Sequence, residues 1–129
     1  MKMTVYVPAE IFETTEDAVK VVAEGPVGGF GILPQHIDMA SPLVPGILSY
    51  VTREGGEQFL AVDYGMLVKQ GDEVKISVRS AARGDLGRLQ QAVQRMSQDV
   101  DEKEKAVQSA VAKLEANFVR RFLELGKNV

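Results

Sequence analysis

The sequence predicts an α+β protein in which an N-terminal antiparallel β-sandwich is followed by a C-terminal α-helical hairpin. The prediction rests on the distribution of turn residues and on a change of apolar periodicity. All five prolines lie at or before residue 45 and nine of the twelve glycines at or before residue 71, whereas residues 88–125 contain neither. Because proline and glycine interrupt helices and mark turns, this distribution indicates a sandwich domain over residues 1–82 and a helical hairpin over residues 83–129.

Short segments separated by turn residues fill the first half of the chain. The clearest, Val74–Arg79, alternates apolar and polar residues, as expected of a strand with one face on a core and the other in water. Turns that contain Gly55-Gly56 and Gly71 join neighbouring segments into predicted hairpins. Many short strands at such intervals predict a sandwich or a flattened barrel. In chain order the predicted strands are Thr4–Val7, Ile11–Thr14, Val19–Ala23, Ile47–Arg53, Gln58–Val62, Met66–Lys69 and Val74–Arg79.

Apolar residues in the second half recur at spacings of three and four, the period of a helix. The interval 97–102 is rich in capping residues, and Asp99 with Glu102 has the spacing of a capping box. One continuous rod fits this pattern, but we favour a hairpin of two helices because it buries the apolar stripes on either side of the interval. The two stripes are Leu86, Leu89, Val93, Met96 and Val100, then Val107, Val111, Leu114, Phe118, Phe122 and Leu125.

The composition argues against most classes of catalytic site. The chain has no cysteine and one histidine, His36, so neither a thiolate nor a metal centre with several ligands is predicted. Its glycines fit neither the P-loop nor the dinucleotide fingerprint. A net charge of -3 offers no basic footprint for nucleic acid. We therefore predict no catalytic residue, no metal and no cofactor, and a protein that works by binding partners.

The start of the chain lacks a signal-peptide pattern. Met1–Thr4 runs directly into a strand-like segment, without a charged region followed by an apolar one. No stretch reaches the roughly 18 apolar residues that a membrane span needs. The sequence therefore predicts a cytoplasmic protein without a span of its own.

The segment from residue 25 to residue 36 is dense in glycine and contains the histidine. One interpretation is a β-bulge followed by a turn, because glycine lets a strand bend and Pro34 ends a ladder. The other is a surface that displays Phe30, Leu33 and His36 to a partner. The residue pattern alone favours the first interpretation.

Several motifs follow one another along the whole chain. They are Gly31-Ile32-Leu33-Pro34-Gln35-His36, Pro45-Gly46, the Gly55-Gly56 hairpin, Gly65 at the opening of a strand, and a helical tail. In order and spacing they resemble the epsilon subunit of the F-type ATP synthase. Gln35 stands where that family usually has glycine, and Tyr64 where it often has a second one. The short runs Ile32-Leu33-Pro34 and His36-Ile37-Asp38 are also similar to the epsilon subunits of the alternative F-type ATPases.

The resemblance implies a non-catalytic rotor subunit of the central stalk, which links the gamma subunit to the membrane c-ring. It would be a peripheral protein on the cytoplasmic face of the cell membrane. Because Gly29 stands where the family often has an acidic residue, an apolar or steric ring contact is expected. The segment that matches the family's ring-facing loop is Val27, Gly28, Gly29 and Phe30. The residues that match its gamma-facing part are Pro34, His36, Asp38, Met39 and Ser41.

The resemblance also implies a regulatory role for the helical half. In the family the hairpin lies folded on the sandwich or extends along gamma toward the catalytic alpha and beta subunits, where it restrains ATP hydrolysis. The alternative is a hairpin that serves only as a scaffold for assembly.

Some members of the family bind ATP in the folded hairpin, where it acts as a regulatory ligand. Asp85, Arg88 and Arg95 match that motif in spacing, and the two arginines, seven residues apart, share a helix face. Gly84 and Leu89 depart from the motif. The alternative interpretation is a helix-capping aspartate with solvated arginines.

A second function remains open beside the rotor subunit. It is a free-standing β-sandwich module with a helical hairpin that senses a nucleotide or another small ligand. This alternative predicts a pocket and ligand affinity in the isolated chain, whereas the rotor subunit predicts a contact surface around residues 27–41.

Overall fold

The computed structural model describes residues 1–99 and residue 110. The chain divides into two units, Met1–Ser97 and Gln98–Val129, and the first contains all the described strands. Its strands are followed by a helix, α1, which begins at Leu86 and is described to residue 99. The strands are β1 (Lys2–Val7), β2 (Glu10–Thr15), β3 (Ala18–Gly25), β4 (Gly28–Ile32), β5 (Met39–Leu43), β6 (Gly46–Thr52), β7 (Glu57–Val62), β8 (Gly65–Gln70), β9 (Glu73–Val78) and β10 (Ala81–Ala82).

The strands form two five-stranded sheets, which confirms the predicted sandwich. Sheet A has the order β2-β1-β9-β8-β5, and sheet B has the order β10-β7-β6-β3-β4. Pairing is antiparallel except between β1 and β9, which run parallel. Strands joined by a tight hairpin must pair antiparallel, whereas seven strands separate β1 from β9 in the chain, which leaves these two free to run parallel.

The core lies between the sheets and follows the alternation of the strands. In β9 the inward residues Val74, Ile76 and Val78 are buried, while the residues between them are exposed. The same rule places apolar side chains from both sheets in one cluster, which includes Met3, Val5, Val21, Ile32, Leu43, Leu48, Leu60 and Leu67. The strict alternation of Val74–Arg79 predicted this arrangement correctly.

The glycine-rich segment forms a hairpin and not a β-bulge. Strands β3 and β4 pair without a register shift, from Gly25 opposite Gly28 to Val21 opposite Ile32. The bulge interpretation was therefore wrong, because Gly28, Gly29 and Gly31 lie in β4, which pairs with β3 in continuous register. The predicted turn at Pro34 is present, since the His36 N–H donates to the Leu33 carbonyl at 2.9 Å.

Helix α1 begins with a side-chain cap. Asp85 Oδ1 accepts a hydrogen bond from the Arg88 N–H at 2.9 Å, which satisfies a donor that the helix leaves free. Of the first predicted stripe, Leu89 is fully buried and Val93 and Met96 are half-buried, whereas Leu86 is exposed.

Residues 97–99 are helical, so the predicted interruption does not start at residue 97. Serine and aspartate favour caps, yet they are tolerated on a helix surface. Val100, the second stripe and the turn of the hairpin lie outside the described residues. Within the described part of the chain, no helix has the length and apolar character to cross a membrane.

Candidate partner-binding surfaces

The segment predicted to face the c-ring forms the tip of the β3–β4 hairpin. Val27 lies in the two-residue turn and is fully exposed. Gly28 has a φ of 127°, a conformation that favours glycine, and opens strand β4. Gly28, Gly29 and Phe30 therefore belong to an edge strand, so the loop expected from the sequence is a strand over three of its four residues. Phe30 is half-buried and packs against the core cluster.

Glu24 brings a carboxylate to this hairpin from the neighbouring strand. It pairs with Gly29 in the β3–β4 ladder, and a Cβ built on Gly29 would lie 3.2 Å from its Oε1. A Cβ on Gly46 would lie 2.6 Å from its Cγ, so the glutamate side chain occupies the space that these two glycines leave free. Glu24 therefore places a carboxylate beside Gly29 from the neighbouring strand, while the apolar or steric ring contact expected at Gly29 stays a prediction.

The residues predicted to face gamma follow one another along an edge of the sandwich. Pro34, His36 and Asp38 lie in the connection of residues 33–38, which carries the chain from sheet B to sheet A. Met39 and Ser41 lie in β5, the edge strand of sheet A. His36 Nδ1 is hydrogen-bonded to the Ile37 carbonyl at 2.8 Å. The structure thus brings the five residues into one continuous stretch.

An apolar groove opens beside this stretch. Met66 of β8 pairs with Pro42 of β5 on one side and with Ser77 of β9 on the other. Met66 and Tyr64 are 45% and 40% exposed, which is unusual for large apolar side chains close together. The groove has a volume of about 570 Å³ and is lined by Tyr6, Val7, Pro8, Tyr64, Gly65, Met66, Ser77, Val78 and Arg79.

The sequence did not reveal this groove. Each residue of Met66–Val68 is apolar, so the pattern does not tell which side chains face the core and which face water. The ladders decide it, because they put Leu67 in the core and leave Met66 and Val68 outside.

A buried carboxylate fixes the turn beside the groove. Asp63 is 3% exposed, and its Oδ2 accepts from Arg79 Nη2 at 2.9 Å and from Ser80 Oγ at 3.1 Å. Its Oδ1 accepts from the Tyr64 N–H at 2.7 Å. These bonds hold the β7–β8 turn and the end of β9 together, and thereby shape one wall of the groove.

Three arginines surround a second hollow at the start of the helix. Arg83, Arg88 and Arg95 line a space of about 310 Å³ together with Ala82, Gln91 and Ala92. Asp85 does not line it, since its carboxylate caps the helix. The structure therefore brings together two of the three residues predicted to bind ATP and adds Arg83, which sequence spacing did not single out.

Arg83 also attaches the start of the helical half to strand β2. Its guanidinium lies 4.1 Å from the centre of the Phe12 ring and 3.5 Å from Glu13 Oε2. Arg83 Nη2 donates to the Phe12 carbonyl as well. The same two charged residues act on Tyr50. Burial raises the pKa of Tyr50 and the Glu13 carboxylate raises it further, whereas the Arg83 charge lowers it.

The chain belongs to the family described as ATP synthase, Delta/Epsilon chain, beta-sandwich domain, which matches residues 1–84. The match covers both sheets and confirms the family that the motifs at residues 31–36 and 45–46 resemble. Membership, together with curated relatives named as epsilon chains, makes the chain an epsilon subunit of the F-type ATP synthase.

Two curated relatives carry the name ATP synthase epsilon chain 2. The chain is 31% identical to that of Cereibacter sphaeroides over 110 residues, which is 84% of this chain and 75% of the relative. It is 36% identical to that of Paraburkholderia xenovorans over 86 residues, which is 66% of this chain and 62% of the relative. The chain thus spans three quarters of the first relative and less than two thirds of the second.

A solved structure shares the fold. The chain superposes on one from the Euglena gracilis mitochondrial ATP synthase, described as OSCP/F1/c-ring, with a TM-score of 0.61 and 21% identity. The match covers 72% of this chain and 61% of that one.

Proposed function

We propose that this chain is a non-catalytic rotor subunit that joins the gamma subunit of an F-type ATP synthase to the membrane c-ring. It works as a peripheral protein on the cytoplasmic face of the cell membrane. The observation that carries the proposal is the family match over residues 1–84. The likeness of residues 32–34 and 36–38 to the alternative F-type ATPases favours one of these as the parent enzyme.

The gamma subunit binds the β5 edge of sheet A. The contact comprises Pro34, His36, Asp38, Met39 and Ser41, and the apolar groove extends it. Tyr64 and Met66 expose apolar surface there, which a partner would remove from water. Burial of these side chains supplies affinity, and the polar connection at His36 supplies register.

Binding of purified gamma to the full chain, measured by calorimetry, tests this surface. His36→Ala and Met66→Ser are each expected to weaken binding by about tenfold, as for residues near the centre of an interface. Phe59→Ser is the matched control, because Phe59 is 37% exposed but lies in sheet B. If both test variants bind gamma as the control does, the proposed surface is wrong.

The c-ring binds the tip of the β3–β4 hairpin, residues 27–30. Val27 contributes an apolar side chain that the fold itself does not use, and Glu24 contributes a carboxylate for polar groups of the ring. Co-sedimentation with detergent-solubilised c-ring tests this contact, and Val27→Ser and Glu24→Gln are expected to reduce it several-fold. Glu54→Gln, in the turn after β6, is the control and should leave it unchanged. Equal sedimentation of all three variants would contradict the assignment.

A second function, regulatory ATP binding, is favoured by the hollow beside Arg83, Arg88 and Arg95. Converging guanidinium groups suit phosphate oxygens, and a volume of about 310 Å³ is at the small end of ligand pockets. Calorimetric titration of the full chain with ATP tests it, with Arg88→Gln and Arg95→Gln expected to abolish the heat and Arg53→Gln to retain it. An absence of heat from the wild-type chain would rule this function out.

Restraint of ATP hydrolysis, with contacts to the alpha and beta subunits, remains a prediction. The hairpin concerned spans residues 83–129, of which residues 100–109 and 111–129 lie outside the described part of the chain. Deletion of residues 100–129 from the reconstituted enzyme is expected to raise the rate of ATP hydrolysis. An unchanged rate would favour the scaffold interpretation instead.

A further inference from the structure

Lys69 occupies a core-facing position of strand β8. The inward residues Leu67 and Lys69 are 0% and 2% exposed, and they alternate with exposed Met66, Val68 and Gln70. A lysine is rarely buried in this way, because its ammonium group loses its hydration. The groups that replace the lost water therefore indicate what this lysine does.

The partners of Lys69 are two backbone carbonyls. Its Nζ donates to the His36 carbonyl at 2.8 Å and also to the Gly71 carbonyl. Gly71 is held from its other side too, since its N–H donates to Asp38 Oδ1 at 2.8 Å. His36 and Asp38 belong to the connection of residues 33–38, and Gly71 belongs to the β8–β9 turn. The four residues therefore form a closed circuit between the connection and the turn.

This circuit holds the connection of residues 33–38 against the β8–β9 turn. Outside the strand ladders of the described residues, the bonds from Lys69 to His36 and from Gly71 to Asp38 join residues 33–38 to another element. Apolar packing adds little, because Leu33 and Ile37 are 55% and 78% exposed. The conformation of the connection thus depends largely on one buried ammonium group and one carboxylate.

The chemistry of the position calls for a donor. A leucine or methionine would fill the same space between the sheets, but it would leave the His36 and Gly71 carbonyls without this donor. Four-carbon reach and an ammonium with three donors let lysine serve both carbonyls from a core position. The geometry therefore points to Lys69 as the positioning residue that fixes the connection of residues 33–38 in its partner-binding conformation. For the partner itself, this inference rests on the proposed gamma contact.

The expected effect follows from preorganisation. An unfixed connection spends only part of its time in the binding conformation, and the apparent affinity falls by that fraction. If loss of the ammonium leaves the binding conformation populated about one tenth of the time, gamma binds about tenfold more weakly.

The test uses the absence of cysteine from the chain. Lys69→Cys is alkylated in denaturant and refolded, once with 2-bromoethylamine and once with 1-iodopropane. The first reagent restores an ammonium at the position of Nζ, and the second places a methyl group there. The two proteins differ only in that group. The measurements are thermal unfolding, the NMR signals of the single histidine, the exchange rate of the Gly71 amide, and the dissociation constant for gamma.

The aminoethyl protein is expected to match the wild-type chain in all four measurements. The propyl protein is expected to fold, to show shifted His36 signals and faster exchange at Gly71, and to bind gamma about tenfold more weakly. The proposal is overturned if the propyl protein keeps the wild-type signals and affinity. It is also overturned if the propyl protein fails to refold, because Lys69 would then be a general determinant of folding.

Failure of the gamma contact is distinguishable from failure of the positioning role. If the wild-type chain does not bind gamma, the proposed function is wrong. The two derivatives still differ at His36 and Gly71 in that case if Lys69 positions the connection, and they agree there if it does not.

Discussion

Gly65 provides the sharpest prediction about the sandwich. It pairs with Val78 at the start of β8 and lines the apolar groove. A Cβ at this position would lie 2.0 Å from the Ser77 carbonyl oxygen and 2.8 Å from the Val78 Cα. Both neighbours are backbone atoms of β9, so no side-chain rotation relieves the contact. Gly65→Ala therefore requires the two strands to separate.

The size of that separation sets the cost. Ordinary contact at about 3.5 Å requires a shift of about 1.5 Å, which breaks a ladder hydrogen bond of normal length. Overpacking of this kind costs roughly 1–3 kcal/mol, and each lost bond adds about 1 kcal/mol. We expect a loss of about 3–4 kcal/mol in the free energy of unfolding, which lowers Tm by at least about 12 °C for a domain of this size.

Two other glycines calibrate the measurement. A Cβ on Gly56 would meet Thr52 Oγ1 at 3.8 Å, an ordinary contact, so Gly56→Ala should change the unfolding free energy by less than about 0.5 kcal/mol. Gly71 has open space but a φ of 58°, so Gly71→Ala should cost about 1 kcal/mol. The assay is urea and thermal unfolding of the full chain followed by circular dichroism. If Gly65→Ala costs no more than Gly56→Ala, the pairing of β8 with β9 described above is wrong.

Three further changes test the polar contacts. Asp85→Ala should cost about 1 kcal/mol in urea unfolding by removing the cap of α1, whereas Asp85→Ser should retain most of it; equal losses would argue against capping. Asp63→Asn should lower the free energy of unfolding by about 2 kcal/mol in the same assay. Loss of a fully buried ion pair would cost more, but the Arg79 side chain is 42% exposed. Unchanged stability would contradict the role of Asp63. The raised pKa of Tyr50 favours its neutral form in the folded protein, so its stability contribution is present below about pH 10 and is lost as pH rises through the folded value. The unfolding free energy of Tyr50→Phe should therefore fall less steeply above pH 10 than that of the wild-type chain, and parallel curves would contradict this.

Sequence patterns predicted the strands that have one face on the core and the other in water. Val74–Arg79 was predicted because water and core demand different residues along one strand, and the Gly71 turn marks where it pairs back on β8. Strands β4 and β5 escaped prediction for the opposite reason. Gly28–Ile32 is rich in glycine and Met39–Leu43 contains a proline, so neither has strand propensity, and both form at sheet edges where a single neighbour fixes their register.

The residues of the candidate surfaces also fall into two groups, those that a continuous motif predicts and those that only cross-strand contacts reveal. The gamma contact of Pro34 to Ser41 stays a prediction, and it could be made because the motif that resembles the family is continuous in sequence. Glu24 and Lys69 were missed because their meaning comes from cross-strand neighbours. Glu24 matters at Gly29 only once β3 and β4 are paired, and Lys69 reaches His36 only once the sandwich closes over it.

Site-directed crosslinking in the assembled ATP synthase tests the central claim most directly. Because the chain has no cysteine, Val27→Cys and Ser41→Cys each carry a single site for benzophenone maleimide. A subunit that bridges the two partners should crosslink from Val27 to a c-ring subunit and from Ser41 to gamma, as identified by mass spectrometry. If both positions crosslink to the same partner, or if neither crosslinks to the rotor, the chain does not join gamma to the ring in the way proposed.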